Sequence, residues 1–264
     1  MSGKDALAFQ TFDLALRARG WMKFDAVVPG DLCDRMRTDI ARHVERCGEL
    51  QRMAGIPGAP DGTAHHTVGY GDSLDEFLER RFLHEYVDRF FNGPYILHAF
   101  NPVTIPSGRR NYVHRIHKDV RTYTGDFRML LNMLVMVDPF TLDNGATYIL
   151  SGSNHDPAPP PEEFFYQHAE RIVGPVGSIV LFDSSTWHSA GENTSGQTRT
   201  AMTLSLSRPF VKPQMDYARF VGLSRVAQMS EHMRQLLGFH AGVPTSLEEW
   251  YRPAGSRMYR PDQG

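Results

Sequence analysis

The sequence predicts a mainly β protein, an antiparallel sandwich or barrel with helical flanks, and three observations predict it. From Pro94 to Phe210 the chain divides into short segments of strand character, YILHAFNPV, YVHRIHKDV, FRMLLNMLVMV, ATYILSG, SIVLFDS and TAMTLSLSRPF, separated by turn signals such as SGRR, DNG and NTSGQ. The segments before and after them carry helical periodicity instead, so strands and helices are segregated rather than alternating. The chain has 264 residues, 41% of them hydrophobic, which is enough for one sizeable core. A single domain over 1–264 is therefore expected, with a helical part to about 92, a β-core over about 94–210 and a helical part over about 213–264.

Residues 4–18 read as a helix, followed by an extended WMKFDAVVP ending at Pro29. Leu32, Met36, Ile40 and Val44 recur every four residues from Asp31 to Cys47, the stripe of an amphipathic helix. Met53 to Asp72 is rich in Gly and Pro without a sustained period and is expected to be a long mobile loop, a place where lids are found. Ser73 to Phe91 returns to helix, with Ser73 as its cap and Glu76 completing a capping box. PAPPPEEFF at 157–165 interrupts the strands and starts a short outer helix. Met215 to Val221 and Ser224 to Leu237 are helical, and the polar tail carries Trp250, Tyr251 and Tyr259.

A net charge of −2 and a pI near 6.6 provide no basic field for nucleic acid or an anionic membrane surface. No apolar run approaches the ~20 residues that span a bilayer, and MSGKDALAFQ lacks the apolar stretch of a signal peptide. The expectation is a cytoplasmic protein, monomer or homodimer, whose partner is a small molecule. Cys33 and Cys47 share one predicted helix, where their spacing separates them by roughly 21 Å, beyond the reach of a disulfide.

The chemistry centres on VHRIHKDVRT, Val113 to Thr122, with the triplet His117-Lys118-Asp119. On a strand, His117 and Asp119 project to one face and Lys118 to the other. An H-x-D triplet is expected about once by chance in a chain of this composition, so its context decides its meaning. A third donor is available at His188, just after the buried-looking strand GSIVLFDS. Two His and one carboxylate on three positions of an octahedron form the facial arrangement of non-haem Fe(II) oxygenases. Arg199, opening the next strand, presents a guanidinium able to fork onto a carboxylate.

Four blocks in order then resemble one family. They are His117-Lys118-Asp119; Leu131-Asn132-Met133-Leu134-Val135-Met136-Val137-Asp138; Asn144 through His155, similar to NGAxxxxPGSH; and Trp187-His188 through Asn193, Ser195 and Arg199. Over about Ile96 to Arg208 the chain resembles the phytanoyl-CoA dioxygenase family of Fe(II)- and 2-oxoglutarate-dependent oxygenases. The resemblance implies a double-stranded β-helix, or jelly-roll, cupin-like core. It makes His117, Asp119 and His188 the iron ligands and puts Arg199 on the distal carboxylate of 2-oxoglutarate. O2 is the other co-substrate, and succinate and CO2 leave as the substrate is oxidised, most simply hydroxylated. Because Asp119 is present, the halide-binding variant of the site is disfavoured. Asn132, Thr147 and Asn101 are the polar contacts expected for 2-oxoglutarate. Four departures stand out: Ser151 in place of Pro, Asn154 inserted before His155, Leu134 where Trp is common and Tyr148 where Arg is common. The last two alter the pocket, so no member's substrate carries over.

The other histidines read as non-ligands. His65 and His66 are polar loop residues, His114 faces away from the triplet, His155 ends a turn, and His98 shares a strand with Asn101. Arg109, Arg110, Arg115, Arg121 and Arg128 cluster in sequence around the triplet and could receive an anionic substrate. Tyr112, Tyr123, Phe127, Met129, Met133 and Met136 divide between pocket and core, mostly core. Two alternatives remain open at this point: a non-catalytic metabolite-binding module on the same barrel, and a cupin-like metalloenzyme needing no co-substrate.

Overall fold

The structure is a computed structural model that describes residues 3–263. Helix α1 (Gly3–Ala18), strand β1 (Trp21–Phe24) and helix α2 (Gly30–Met53) open the chain. Helices α3 (Ser73–Glu79) and α4 (His84–Phe91) precede β2 (Ile96–Ile105), β3 (Leu130–Val135) and β4 (Thr147–Ile149). Helix α5 (Glu162–His168), β5 (Glu170–Ile172), β6 (Ile179–Asp183), β7 (His188–Ser189) and β8 (Arg199–Ser207) complete the β part. Helices α6 (Tyr217–Val221), α7 (Leu223–Val226) and α8 (Glu231–Leu236) follow it.

All strand pairings are antiparallel. They form a five-stranded sheet ordered β1-β6-β3-β8-β2 and a three-stranded sheet ordered β5-β4-β7. The larger sheet is covered on both faces, which is why LLNMLV reads as an unbroken apolar run and all six residues of β3 are buried. Leu131, Met133 and Val135 of β3, with Ile179, Leu181, Met202, Leu204 and Leu206, pack under the stripe Leu32, Met36 and Ile40 of α2. The alternate residues Leu134, Val180, Phe182 and Ala201 face inward and meet Phe140, Ile149 and Ile172 between the sheets. Burying a Leu or Ile from each such row contributes about 1.5–3 kcal/mol per side chain.

Several elements differ from their sequence reading. Helix α2 continues through Gly48 to Met53, and the Gly lies under Pro60, whose Cβ is only 2.8 Å from where a Cβ on residue 48 would sit. The helix expected over Ser73–Phe91 is two, broken by left-handed Arg81 (φ 54°) and Leu83 (φ 57°). Both halves still bury the predicted apolar face through Leu74, Phe77, Val87 and Phe90. The cap is Asp72, whose side chain accepts from Leu74 N at 3.0 Å, while the Ser73 hydroxyl donates to Asp39. The segment read as a mobile loop is anchored along the edge of β2, with Ala64 N donating to Pro102 O (2.9 Å) and Thr104 N to Gly62 O (2.8 Å). That covers an edge strand, which otherwise presents unpaired backbone groups. The triplet segment is not a strand: Tyr112–His114 is a turn of 3-10 helix, and His117 pairs with His188 as a single bridge. Among the described residues no helix is long and apolar enough to cross a membrane, and Cys33 and Cys47 are both free thiols.

Candidate metal centre

Backbone first brings the donors together. His117 N donates to His188 O (3.0 Å) and His188 N to His117 O (2.9 Å), so two residues 71 positions apart are held face to face by one two-way bridge. Asp119 N donates to Ser184 O at 2.9 Å, which ties the next turn to the end of β6. One donor atom from each of His117, Asp119 and His188 then lies within 4.8 Å of the others. His117 Nε2 is 3.7 Å from Asp119 Oδ1, and His188 Nε2 is 3.9 Å from Asp119 Oδ2. Lys118 turns away, buried beside the Trp187 ring, with its nitrogen 5.3 Å from the ring centre.

Each donor is oriented from behind. His117 Nδ1 donates to Arg115 O (2.7 Å) and His188 Nδ1 to Thr186 O (2.9 Å). Those bonds place the ring proton on Nδ1 and leave the Nε2 lone pair toward the centre, the tautomer a metal requires. Burial first, then the His117 imidazole, pushes His188 down to about 4. It is therefore neutral at physiological pH without a metal to displace its proton. Asn132 Nδ2 donates to Asp119 Oδ2 at 2.6 Å, and Ser205 Oγ donates to Asn132 Oδ1 at 2.6 Å.

The centre opens into a cavity of about 270 Å³ between the sheets, lined in part by Asn101, Leu134, Thr147, Phe182 and Arg199. Arg199 is 3% exposed; its Nη1 donates to Gly145 O at 2.7 Å, its carbon lies 3.9 Å from the Phe140 ring centre, and its Nε is buried without a partner. Burial pushes its guanidinium down to about 9, so it stays charged at neutral pH. Among the described residues no carboxylate pairs with it. A larger surface cleft of about 860 Å³, lined by Asp13 and Arg89 among others, contains none of the three donors.

The other sequence candidates separate. Thr147 and Asn101 line the cavity, and Asn101 Oδ1 is buried without a partner. Asn132 is not a cavity contact: it is wholly buried and its carboxamide is engaged by Asp119 and Ser205. The Asp119 carboxylate, which lines the cavity, takes the contact expected for the co-substrate. His98, expected to matter less than Asn101, does line the cavity. His114 caps its own turn through Asn111, and His155 binds Arg17 O at 2.9 Å. His65 reaches the Tyr112 hydroxyl (3.1 Å) and His66 that of Tyr217 (2.8 Å). The arginine cluster disperses, because the segment is a series of turns. Arg121 lines the cavity, Arg110 and Arg115 line a separate cleft, and Arg128 donates to Phe90 O. Tyr112 lines the cavity, Tyr123 and Phe127 are exposed, and Met133 and Met136 are core.

Two imidazoles and one carboxylate within reach of one centre, with a buried guanidinium in the same cavity, are a donor set that could hold one metal ion in the facial arrangement. The chain belongs to the phytanoyl-CoA dioxygenase family, whose model matches residues 16–201, and it is thereby an oxygenase. It is 32% identical over 237 residues to the uncharacterized protein Rv1501 of Mycobacterium tuberculosis, covering 88% of this chain and 83% of that one. It is 26% identical to the dioxygenase sphC of Aspergillus fumigatus, covering 73% of this chain and 55% of that protein. In fold it is similar to SnoN, a non-heme alpha ketoglutarate dependent epimerase from nogalamycin biosynthesis. The TM-score is 0.58 at 13% identity, covering 77% of this chain and 82% of that one.

Proposed function

We propose that the chain is a mononuclear Fe(II)- and 2-oxoglutarate-dependent dioxygenase, one domain over residues 1–264 on a double-stranded β-helix core. It oxidises, most simply hydroxylates, a small organic metabolite with release of succinate and CO2. It works in the cytoplasm as a monomer or homodimer and contacts neither nucleic acid nor membrane. One observation carries the reading: three oriented donors share a cavity with a buried guanidinium that has no ion-pair partner among the described residues and whose Nε is unsatisfied. A buried charge without an ion-pair partner is expensive to retain, and a dicarboxylate co-substrate would supply one.

The donor set fits iron. Two neutral nitrogens and one carboxylate suit a divalent transition metal and leave positions open for further ligands. His117, Asp119 and His188 would hold it, and Arg199 would take the distal carboxylate of 2-oxoglutarate, with Thr147 and Asn101 as polar contacts along the way. Bound iron supplies the activation of O2 that couples oxidative decarboxylation of the keto acid to oxidation of a substrate C–H bond. The chain's part is to orient the donors, neutralise the keto acid's charge and keep water out with Leu134, Phe182 and Val103. That a protein of similar fold is an alpha ketoglutarate dependent epimerase supports the co-substrate.

The test is release of succinate from 2-oxoglutarate with Fe(II) and O2. We expect slow release from the wild type and none from His117→Ala, which should also bind Co(II) at least about tenfold more weakly, the loss of one ligand. Full turnover in that variant would end the reading. Arg199→Met should raise the 2-oxoglutarate requirement by roughly two orders of magnitude, about the 2–4 kcal/mol of a charge-assisted fork. A cupin-like enzyme without co-substrate would leave that variant active, and a binding module would release no succinate from the wild type.

A further inference from the structure

The cavity has two ends, and strand register tells them apart. Along β8 the inward residues run Arg199, Ala201, Thr203, Ser205, and their partners on β2 are Ile105, Val103, Asn101 and Ala99. Ser205 reaches Asp119 through Asn132, so the metal donors sit level with the Ser205–Ala99 end. On the small sheet, Ile149 pairs with His188 and Tyr148 with Ser189, and Thr147 and Gly145 lead back toward Arg199. A keto acid gripped by Arg199 and reaching the three donors would fill the stretch between them. What lies at the Ala99 end is left for something else.

That end is built. The β2–β8 register slips between Leu97 and Ala99, so His98 is the extra residue of a β-bulge, the device that re-aims a side chain next to an active site. Its carbonyl is held by Gln214 N at 2.9 Å, its side chain lines the cavity, and its Nδ1 is buried without a partner. Burial holds its ring below the usual histidine range, so it is a neutral imidazole near pH 7. Arg121, two residues beyond Asp119, lines the same cavity, is exposed, and has no ion-pair partner among the described residues. Among the described residues Asp119 is the one carboxylate on the cavity wall. A cationic substrate would meet the Arg121 guanidinium there and no free counter-charge; an anionic one would be paired by it. At about 270 Å³ the space is small for two molecules, so the substrate's outer end must reach the mouth.

We propose that His98, with Arg121, forms the substrate subsite and selects a small carboxylate-bearing metabolite that also carries a hydroxyl or carbonyl oxygen. His98 hydrogen-bonds the oxygen inside the cavity, and Arg121 takes the carboxylate at the mouth. This rests on the 2-oxoglutarate reading above, because that co-substrate is what occupies the Arg199 end.

The experiment uses the Fe(II)-loaded full chain and a panel of short β-hydroxy acids, the matching deoxy acids, their methyl esters and the amino alcohols of the same chains. Succinate release is the first readout. The second, under anaerobic conditions, is the visible charge-transfer absorption that a 2-oxo acid produces on chelating Fe(II). We expect free hydroxy acids to stimulate the wild type at least about tenfold more than esters, deoxy acids or amines, the effect of roughly one good polar contact. Arg121→Ala should erase the preference for acid over ester, and His98→Ala the preference for hydroxy over deoxy acid. Both variants should develop the absorption at the wild-type 2-oxoglutarate concentration. Equal stimulation by esters or amines would overturn the proposal, as would no stimulation by any acid while probe-free succinate release persists. Loss of the absorption in His98→Ala would overturn it too, by moving that residue to the co-substrate end. Failure of the underlying reading is separate: the wild type itself would show neither absorption nor succinate.

Discussion

At the scale of residues, the centre depends on side chains that never touch a ligand. Asn132 donates to Asp119 Oδ2 and accepts from Ser205, a buried chain that fixes which carboxylate oxygen remains free for a cation. Partners of this kind typically cost about 10–100-fold in metal affinity when removed. Asn132→Ala should therefore weaken Co(II) binding by roughly that factor, with Ser205→Ala a smaller step in the same direction. Titration followed by the Co(II) visible spectrum measures both. Melting of the metal-free proteins separates positioning from general damage, since a purely structural role would lower the melting temperature and spare the affinity. An unchanged affinity in Asn132→Ala would show that backbone alone orients Asp119. Such a role cannot be read from residue types. The resemblance makes Asn132 a contact for 2-oxoglutarate, yet whether its carboxamide meets a keto acid or a neighbouring carboxylate depends on a through-space distance.

At the scale of elements, what was legible followed burial and what was not followed tertiary pinning. The strands β2, β3, β6 and β8 carry alternation or β-branched apolar runs, and their existence follows from sequence. Strands β5 and β7 have three and two residues, too few to hold a period. The segment around His117 has strand composition but curls through a 3-10 turn, because its one pairing is the bridge to His188. His117 and Asp119 still converge with His188, on turns and a single bridge rather than on one face of a strand. The turn before β4 shows a further dependence. Gly145 has φ 85°, and a Cβ on it would lie 2.6 Å from Gly191 O, while its own carbonyl accepts from Arg199 at 2.7 Å. Gly145→Ala should cost about 1–2 kcal/mol from conformation alone, more from the clash, and should weaken 2-oxoglutarate binding by displacing the guanidinium's anchor. Gly196 has a similar φ of 80° with nothing near its Cβ position. Gly196→Ala should pay the conformational term and leave the co-substrate KM alone. Equal KM in the two variants would break the link between this turn and Arg199.

At the scale of the whole molecule, folding withdraws histidine from water on both sides of the large sheet. His65, His66, His98, His114, His188, His232 and His240 are all held below their ordinary range, with burial the first cause in each. The unfolded chain protonates the same rings near pH 6.5. Between that value and the lower folded ones, the unfolded state binds more protons, and stability falls as pH falls. The stabilisation is therefore complete above about pH 6.5 and is lost toward the folded values, which for His188 is about 4. Burial pushes Asp61 and Asp72 up, but the hydrogen bonds they accept, from Thr63 to Asp61 and from His43 to Asp72, outweigh it and hold both below the carboxylate range, so they extend the loss below pH 4. The metal-free protein should accordingly melt at progressively lower temperature from pH 7.5 to pH 5, well before carboxylates titrate. A metal bound by His117, Asp119 and His188 adds stability by mass action, and protons compete for the same nitrogens. The rise in melting temperature on adding Mn(II) should thus be largest near pH 7.5 and shrink toward pH 5, and His188→Gln should abolish the rise while retaining most of the underlying slope. A melting temperature that stays level from pH 7.5 to pH 5 without metal would mean that these rings remain hydrated in the folded state, contrary to the packing that closes the cavity.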